Sequence, residues 1–324
     1  MGLTIGVDVG GTKVAAGVVD ERGRIIEKLK RSTPSASPER TAQVISDAVL
    51  ELLDRHPAAA VGIGAAGFVD EVRSSILFAP NLAWRDEPLK RHVEERVGLP
   101  VVVENDANAA AWAETILGAA RGHGHVMLVA LGTGIGAGIV MNGELYRGRW
   151  GIAGEPGHYR VVPDGRLCGC GNRGCWEQYA SGSALVAEAR EFARRSPGAA
   201  VRLLQLGGGH VEGINGPEVT RAALEGDAAA LRCFEIVGGW LGHGLAALAA
   251  ILDTGCFVIG GGVSDAGDLL IGPARATFDS ELTGGPYRPH AKIVLAQLGA
   301  DAGMIGAADL ARRSVDLQEL ATVE

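Results

Sequence analysis

Residues 4–20 read TIGVDVGGTKVAAGVVD, and residues 126–144 read VMLVALGTGIGAGIVMNGE. In each stretch an apolar run enters a glycine-rich Gly-Thr turn and leaves it as a second apolar run, which predicts a β-hairpin. A shift of 121 positions superposes Gly11 on Gly132, and a threonine, an alanine, a glycine and a valine then recur at matching places. Two such hairpins could resemble each other by chance, but the shared register favours a duplicated unit.

The rest of the chain alternates between strand-like and helix-like segments. PERTAQVISDAVLELLDRH (38–56) spaces its apolar residues at helical intervals, with a proline suited to the first turn. LPVVVEN (99–105) is typical of a buried strand, and DANAAAWAETILG (106–118) of the helix after it. This alternation predicts an α/β protein. With the duplication, it predicts two related lobes, 1–117 and 118–299, that face each other across a cleft.

Composition narrows the class of protein. The 324 residues carry a formal net charge of -8, which disfavours a nucleic-acid binder that works by neutralising phosphates. The N-terminus lacks the basic and apolar regions of a signal peptide. The longest apolar run, GLAALAAILDTG (244–255), is interpreted as too short to span a bilayer. Three of the five cysteines fall within eight residues, which favours a metal over disulfides and indicates a cytoplasmic protein.

The first glycine turn, DVGGTK (8–13), has the composition of an anion site. Its backbone N–H groups can converge on a phosphate, and Thr12 and Lys13 add a hydroxyl and a cation. Asp8 could hold a phosphate-bound Mg²⁺ through water. An ordinary hairpin in which Asp8 is a cap would explain the same residues. The similar turn in the second stretch and IGGGVSDAG (259–267) favour a nucleotide site.

Asn105 and Asp106 fall where a strand ends and a helix begins, the usual place for ligands of α/β sheets. Asp106 lies at or near the helix N-cap, where an aspartate needs no catalytic role, and cap statistics alone favour that structural reading. A carboxylate that accepts a hydroxyl proton is also what the phosphorylation of an alcohol requires. The residues alone leave both roles open.

The stretch EPGHYRVVPDGRLCGCGNRGCWEQ (155–178) predicts a zinc site. Cys168, Cys170 and Cys175 have a C-x-C-x4-C spacing, and His158 precedes them. Three cysteines and one histidine form a common tetrahedral zinc set, and four protein ligands leave no open position for a reacting water. The predicted zinc is therefore structural.

Two glutamates flank these ligands and extend the prediction. Glu155 precedes His158, and Glu177 follows Cys175. A bound zinc would fix both carboxylates, and the second ring nitrogen of His158 would still need a hydrogen-bond partner. Carboxylates, an amide and an imidazole suit a ligand with several hydroxyl groups, because each can bond a hydroxyl directionally.

DVGGTK (8–13), ENDANAAAWAE (104–114), LGTGIGAGIV with AGEPGH (131–158), and CGCGNRGCWE (168–177) together resemble the signatures of the ROK family, which contains sugar kinases and related repressors. The resemblance covers nearly the whole chain and is greatest to the ATP-dependent bacterial glucokinases. It implies a two-lobed, actin-like, hexokinase-type fold of duplicated ribonuclease H-like lobes. It also implies that a terminal helix, 300–324, packs back on the first lobe.

The resemblance also implies residue roles. It makes Asp106 the catalytic base that accepts the sugar hydroxyl proton, which outweighs the structural reading above. The implied sugar-binding residues are Asn105, Asp106, Glu155, His158, Glu177, Gly67 and Asn81. Those implied for nucleotide, phosphate or Mg²⁺ are Asp8, Gly10, Gly11, Thr12, Lys13, Thr133, Gly134 and Gly262. The zinc ligands are His158, Cys168, Cys170 and Cys175.

The expected activity is therefore the phosphorylation of glucose at its 6-hydroxyl by ATP with Mg²⁺, in a homo-oligomer (dimer or tetramer) that binds neither nucleic acid nor membrane. One alternative is a kinase for another hexose, such as N-acetylmannosamine, fructose or allose, because sugar epimers differ by a single hydroxyl. A second is a sugar-responsive repressor. Such repressors carry a helix-turn-helix before the kinase-like domain, and a first glycine turn at residue 8 leaves no room for one.

Overall fold

The structure is a computed structural model that describes the backbone of residues 2–321 and the side chains of residues 2–317. Residues 322–324 of the expected terminal helix lie outside the described residues. The chain divides into two compact units. The first contains the residues up to Leu128, Gly138–Gly154 and the residues from Ala296 onward, and the second contains Val129–Ala137 and Glu155–Leu295. The lobe boundary expected after residue 117 stays a prediction.

The described residues form the following elements. The strands are β1 (Leu3–Val9), β2 (Lys13–Val19), β3 (Ile25–Ser32), β4 (Ala58–Ala65), β5 (Phe68–Val69), β6 (Ile76–Phe78), β7 (Arg85–Glu87), β8 (Val101–Asn105), β9 (Val126–Leu131), β10 (Ile135–Met141), β11 (Glu144–Tyr146), β12 (Cys256–Gly260) and β13 (Lys292–Leu295). The helices are α1 (Pro38–Leu53), α2 (Leu89–Val97), α3 (Asp106–Ile116), α4 (Glu177–Ala180), α5 (Gly182–Arg195), α6 (Val201–Leu206), α7 (Gly216–Leu224), α8 (Ala228–Leu252), α9 (Asp268–Glu281) and α10 (Ala302–Ala321).

Two five-stranded sheets have the same strand order. One runs β3-β2-β1-β4-β8 and the other runs β11-β10-β9-β12-β13. In the first sheet β1 pairs antiparallel with β2 and parallel with β4, and β4 pairs parallel with β8. In the second, β10 pairs antiparallel with β11, and β12 pairs parallel with β13. The hairpins that match in the sequence thus occupy equivalent places, which confirms the α/β fold class and the duplication.

Local signals in the sequence explain where the helices of the first unit begin. Helix α1 starts at Pro38, and the side chain of Ser37 accepts the backbone N–H of Arg40 as an N-cap.

Small residues explain how α10 packs. A Cβ on Gly6 or Gly62 would overlap main-chain atoms of α10, so glycine lets that helix lie directly on β1 and β4. The start of α10 is thereby fixed beside the ends of these strands.

The second unit is organised around the long helix α8. Its 25 residues begin after the N-cap Asp227, so the helix extends well before the apolar run 244–255 that was judged too short to span a bilayer. It is the one helix of the described residues that is long and apolar enough to cross a membrane. In this structure it packs on α9 through glycines, and a Cβ on Gly238 would lie 2.8 Å from the carbonyl oxygen of Leu270.

Candidate active site

The first glycine turn lies between β1 and β2 and is tied to β3. Gly10 N–H donates to the carbonyl oxygen of Lys13 at 3.0 Å, which closes the turn. The Thr33 hydroxyl donates to the Gly10 carbonyl at 2.8 Å, and Thr33 N–H donates to the Thr12 carbonyl at 3.1 Å. A Cβ on Gly11 would lie 3.2 Å from Cβ of Asn81. The structure therefore brings the predicted phosphate turn together with Asn81 and shows that Thr33, which sequence reasoning missed, holds the turn.

Asp8 and Asp106 both lie close to the start of α10. A Cβ on Gly303 would be 3.7 Å from an Asp8 carboxylate oxygen and 3.6 Å from the carbonyl oxygen of Asp106. Burial, and after it the nearby charge of Asp106, raise the pKa of the Asp8 carboxyl to about 6, while Lys13 opposes the shift. Burial also raises the pKa of the Asp106 carboxyl. Two carboxyls of raised pKa at a sheet edge are typical of acid–base and cation sites.

The N-cap of α3 is Asn105, and Asp106 is the first residue of the helix. The Asn105 side-chain oxygen accepts Asn108 N–H at 3.0 Å, and its Nδ2 donates to the Gly67 carbonyl at 3.1 Å. The Asp106 carboxylate accepts Ala107 N–H at 2.9 Å instead of capping a later turn. Asp106, expected at or near the N-cap, is thus the residue directly after it. The structure brings Asn105, Asp106 and Gly67 together, as the resemblance implies.

A buried glutamate that sequence reasoning missed lies beneath this helix start. Glu104 is 1% exposed, and its carboxylate accepts Nε of Arg73 and Nε of Arg147, each at 2.9 Å. It also accepts Asn105 N–H at 2.9 Å and Asn108 Nδ2 at 3.1 Å. A glutamate that ends the apolar run VVVE was the available signal, because a charge in a buried strand requires partners.

In the second unit the four predicted zinc ligands cluster. Nδ1 of His158 lies 3.7 Å from Sγ of Cys168, and Sγ of Cys170 lies 3.6 Å from Sγ of Cys175. All four ligand atoms lie within 4.8 Å of one another. Tetrahedral zinc with bonds of about 2.3 Å to sulfur and about 2.0 Å to nitrogen separates its ligands by roughly 3.6–3.8 Å. The donor set and its spacing therefore fit zinc.

Glycines allow the loop to close around this cluster. Gly171 and Gly174 have φ angles of 89° and 77°, in the left-handed region that glycine adopts without strain. A Cβ on Gly174 would in addition overlap the carbonyl of Val162. Cys168 N–H donates to the carbonyl oxygen of Asn172 at 2.8 Å, which fixes the tight loop between the first and third cysteines. The ligand geometry is thus encoded by the backbone of the loop itself.

Glu177 lies between the cysteine cluster and the second Gly-Thr turn. One carboxylate oxygen accepts from Sγ of Cys168 at 2.9 Å, and the other accepts Ile135 N–H at 3.4 Å. A Cβ on Gly134 would overlap that second oxygen, so glycine is needed there. Glu155 begins the short turn that presents His158, whose N–H donates to the Glu155 carbonyl at 3.2 Å. The loop that carries the cysteines therefore also places Glu155 and Glu177, the two predicted sugar-binding residues that flank them.

The glycine segment after β12 lies against the second Gly-Thr turn. Gly261 has a φ of 82°, and a Cβ on it would lie 2.5 Å from the Leu131 carbonyl. Gly262, the residue named from the sequence, begins the following turn, and a Cβ on it would meet nothing within 4 Å. Gly132 N–H donates to the Gly134 carbonyl at 3.0 Å. The geometric requirement for glycine thus falls on Gly261, while Gly262 faces open space.

Each unit holds its own set of predicted residues. The first unit contains Asp8, Gly10, Gly11, Thr12, Lys13, Gly67, Asn81, Asn105 and Asp106. The second contains Thr133, Gly134, Glu155, His158, Cys168, Cys170, Cys175, Glu177 and Gly262.

Comparison with known proteins identifies the family. The ROK family model matches residues 4–314. The chain belongs to the ROK family. It is 53% identical over 312 residues to a glucokinase of Streptomyces coelicolor, covering 96% of this chain and 98% of that protein.

Solved ROK structures share the fold. A crystal structure of a ROK family glucokinase from Streptomyces griseus, in complex with glucose and AMPPNP, has a TM-score of 0.87 and 56% identity, covering 96% of this chain and 100% of that one. A ROK hexokinase from Thermus thermophilus has a TM-score of 0.81 and 35% identity, covering 97% and 99%. These matches confirm the family resemblance and the hexokinase-type fold expected from the sequence.

Proposed function

We propose that this ROK protein is an ATP-dependent glucokinase that transfers the γ-phosphoryl group of MgATP to the 6-hydroxyl of glucose. The observation that carries the proposal is the placement of Asp106, a carboxylate of raised pKa at the start of α3, beside Asn105 and Asp8. The high identity to a Streptomyces glucokinase over nearly the whole chain supports glucose as the sugar.

Asp106 accepts the proton of the 6-hydroxyl as its oxygen attacks phosphorus. Burial raises the pKa of the Asp106 carboxyl, and a higher pKa makes a carboxylate a better proton acceptor. Asn105 orients the same hydroxyl through its amide, which Gly67 and Asn108 hold in place. Most of the rate enhancement of phosphoryl transfer comes from such positioning and from charge stabilisation.

The glycine turns hold the phosphates in this proposal. The backbone N–H groups of the Gly10–Lys13 turn bind phosphate oxygens, and Thr12 and Lys13, both exposed, add a hydroxyl and a cation. Thr133, Gly134 and Gly262 serve the nucleotide in the second unit. Mg²⁺, when bound with ATP, neutralises developing charge, and Asp8 is the carboxylate that would hold it through water.

The cysteine cluster holds a structural zinc in this proposal. Three thiolates and Nδ1 of His158, which faces Cys168, would hold the ion, and four protein ligands would leave it no position for a reacting group. Coordination through Nδ1 leaves Nε2–H of His158 to donate to a sugar hydroxyl, and Glu155 and Glu177 bind further hydroxyls. The zinc thus orders sugar ligands without reacting.

A kinase for another hexose is the second candidate, because a relative of 35% identity is a ROK hexokinase, a less specific description. Release of ADP should be measured with glucose, N-acetylmannosamine, fructose and allose at equal concentrations. The highest kcat/KM is expected for glucose. A higher value for one of the other sugars would replace glucose as the substrate, and no release with any of them would contradict the kinase proposal.

Assembly and location accompany the proposal as predictions. A dimer or tetramer is expected, with no nucleic acid or membrane as partner, in the cytoplasm. The net charge of -8 supports the absence of a nucleic-acid partner and opposes the repressor alternative. Light scattering after size exclusion would give the oligomeric state, and a band shift on DNA at physiological salt would revive the repressor.

A further inference from the structure

A network of buried polar contacts lies beneath the start of α3. The residues at its centre are not among those assigned so far to substrate binding. Glu104 accepts the side chains of Arg73 and Arg147 and also Asn105 N–H and Asn108 Nδ2. The last two donors belong to the cap and the first turn of α3. One buried carboxylate therefore fixes two points of the turn that carries Asp106.

Arg147 extends this contact to the loop after β4. Its two terminal nitrogens donate to three successive carbonyl oxygens, of Val69 at 3.4 Å, Asp70 at 2.8 Å and Glu71 at 3.0 Å. Residue 67 of the same loop accepts Nδ2 of Asn105. The loop is thus held at one end by Asn105 and along the rest by Arg147, and both return to Glu104.

Arg73 makes the remaining contacts of this network. Its Nε donates to Glu104, its N–H donates to the Asp70 carbonyl at 3.2 Å, and its carbonyl accepts Val103 N–H at 3.1 Å. Arg73 has a φ of 59°, a left-handed conformation that a non-glycine residue adopts only where its surroundings enforce it. Strain at this residue is consistent with a network that fixes the loop geometry.

We propose that Glu104 and Arg147 are positioning residues for the Asn105–Asp106 pair, and that they act by holding the first turn of α3 and residues 67–71 in one fixed arrangement. The proposal rests on the proposed kinase function. Neither side chain touches the substrate in this account. A displacement of the base by about 1 Å is enough to lower a rate by up to roughly 100-fold, so the network controls turnover and not only stability.

Arg312 offers a matched control. Its side chain, like that of Arg147, is 9% exposed and pairs with a carboxylate, that of Asp309 at 2.7 Å. Its other donors reach the Thr4 hydroxyl and the carbonyls of Val19 and Asp20, away from the start of α3. Arg147→Met and Arg312→Met therefore remove similar buried arginines with different neighbours.

Kinetics with glucose and ATP, thermal unfolding and amide hydrogen exchange should be measured for both variants. We expect both to unfold at lower temperature, and kcat/KM for glucose to fall roughly tenfold or more in Arg147→Met alone. KM for ATP should be unchanged in both. Exchange should accelerate at residues 67–75 and 104–110 in Arg147→Met, and around residues 4 and 19–20 in Arg312→Met.

Two outcomes would overturn the proposal: unchanged glucose kinetics in Arg147→Met despite lost stability, or equal kinetic losses in both variants. If Arg147→Met does not fold, Arg147→Lys keeps the charge with fewer donors and is expected to give a smaller loss of the same kind. If the wild type phosphorylates no sugar, the proposed function fails. The exchange pattern then still decides whether Arg147 orders the loop and the start of α3.

Discussion

The carboxylate site of the first unit and the cysteine site of the second are built in opposite ways. The four predicted zinc ligands come from 18 consecutive positions, His158 to Cys175, and glycines shape the loop that gathers them. Asp8 and Asp106 come from separate elements: Thr33 ties the turn that follows Asp8, while Glu104, which accepts from Asn105 and Arg147, supports the start of α3. In the proposed account a bound metal orders the local site, whereas the fold orders the dispersed site. The comparison predicts that the two fail differently.

The largest effect is expected at the proton acceptor. Asp106→Asn keeps the size and polarity of the side chain and removes its basicity, so kcat should fall by about 100-fold or more, the scale of acid–base catalysis. The dissociation constant for glucose should change little in isothermal titration calorimetry. Asp227→Asn is the matched control, because Asp227 also starts a helix and asparagine caps as well as aspartate. Near-normal turnover by Asp106→Asn would reject the assignment.

Loss of the metal should give the next effect. Cys168→Ser, or chelation of the wild type, should raise the dissociation constant for glucose by roughly 10-fold, the lower end of effects at metal-supporting residues. Nucleotide binding should weaken less. Cys233→Ser is the control, since Cys233 is buried in α8 and lies outside the cluster. Unchanged glucose affinity after loss of zinc would show that the cysteine loop has only a structural role.

The raised pKa of Asp8 predicts a dependence of stability on pH. The folded state binds this proton more tightly than the unfolded state, so the free energy of unfolding falls as pH rises from about 4 to about 6, and the loss persists above that range. Asp8→Asn should therefore unfold at a higher urea concentration than the wild type at pH 7.5. Its free energy of unfolding there should be higher by about 1 kcal/mol, after allowance for partial exposure, and near pH 4 there should be no gain.

Asp20 supplies the control of opposite sign. Burial raises its pKa, but hydrogen bonds from Arg24 and Arg22 outweigh burial and lower the pKa overall. Asp20→Asn should lose stability at pH 7.5 and lose less as pH falls toward the folded pKa. A gain for Asp8→Asn that does not depend on pH would contradict the account of Asp8.

The smallest effect is expected where the first glycine turn is tied to β3. Thr33→Val removes the hydroxyl that donates to Gly10 and keeps the shape of the side chain. KM for ATP should rise about threefold, the value of one ordinary hydrogen bond, while KM for glucose stays constant. Thr41→Val removes a similar buried hydroxyl from α1 and should change neither constant. Equal changes in both Michaelis constants for Thr33→Val would contradict a role confined to phosphate.

The sequence predicted the local features well. The two matching hairpins indicated a duplicated fold, and the cysteine spacing indicated a set of possible metal ligands that the structure brings together. Both depend on residues near one another in the chain, so pattern and spacing contain the information. The helix start at Asp106 was also predicted, although the capping side chain is that of Asn105.

The dispersed features could not be predicted in this way. Nothing in the spacing of Glu104, Arg73 and Arg147 shows that they meet, because three separate elements bring them together. Thr33 was missed for the same reason, since it acts on a segment distant in the sequence. The apolar part of α8 was judged from residues 244–255 alone, because the first half of the helix carries arginine and glutamate between the apolar residues that become buried.

The most direct test of the different roles of the two sites is the turnover number at saturating glucose and ATP. It should be measured in parallel for Asp106→Asn and Cys168→Ser. The account predicts a fall of about 100-fold or more for the first, and a value within about threefold of wild type for the second once sugar is saturating, because a closed zinc shell takes no part in the transfer. Equal losses in the two variants, or a larger loss in Cys168→Ser, would contradict it.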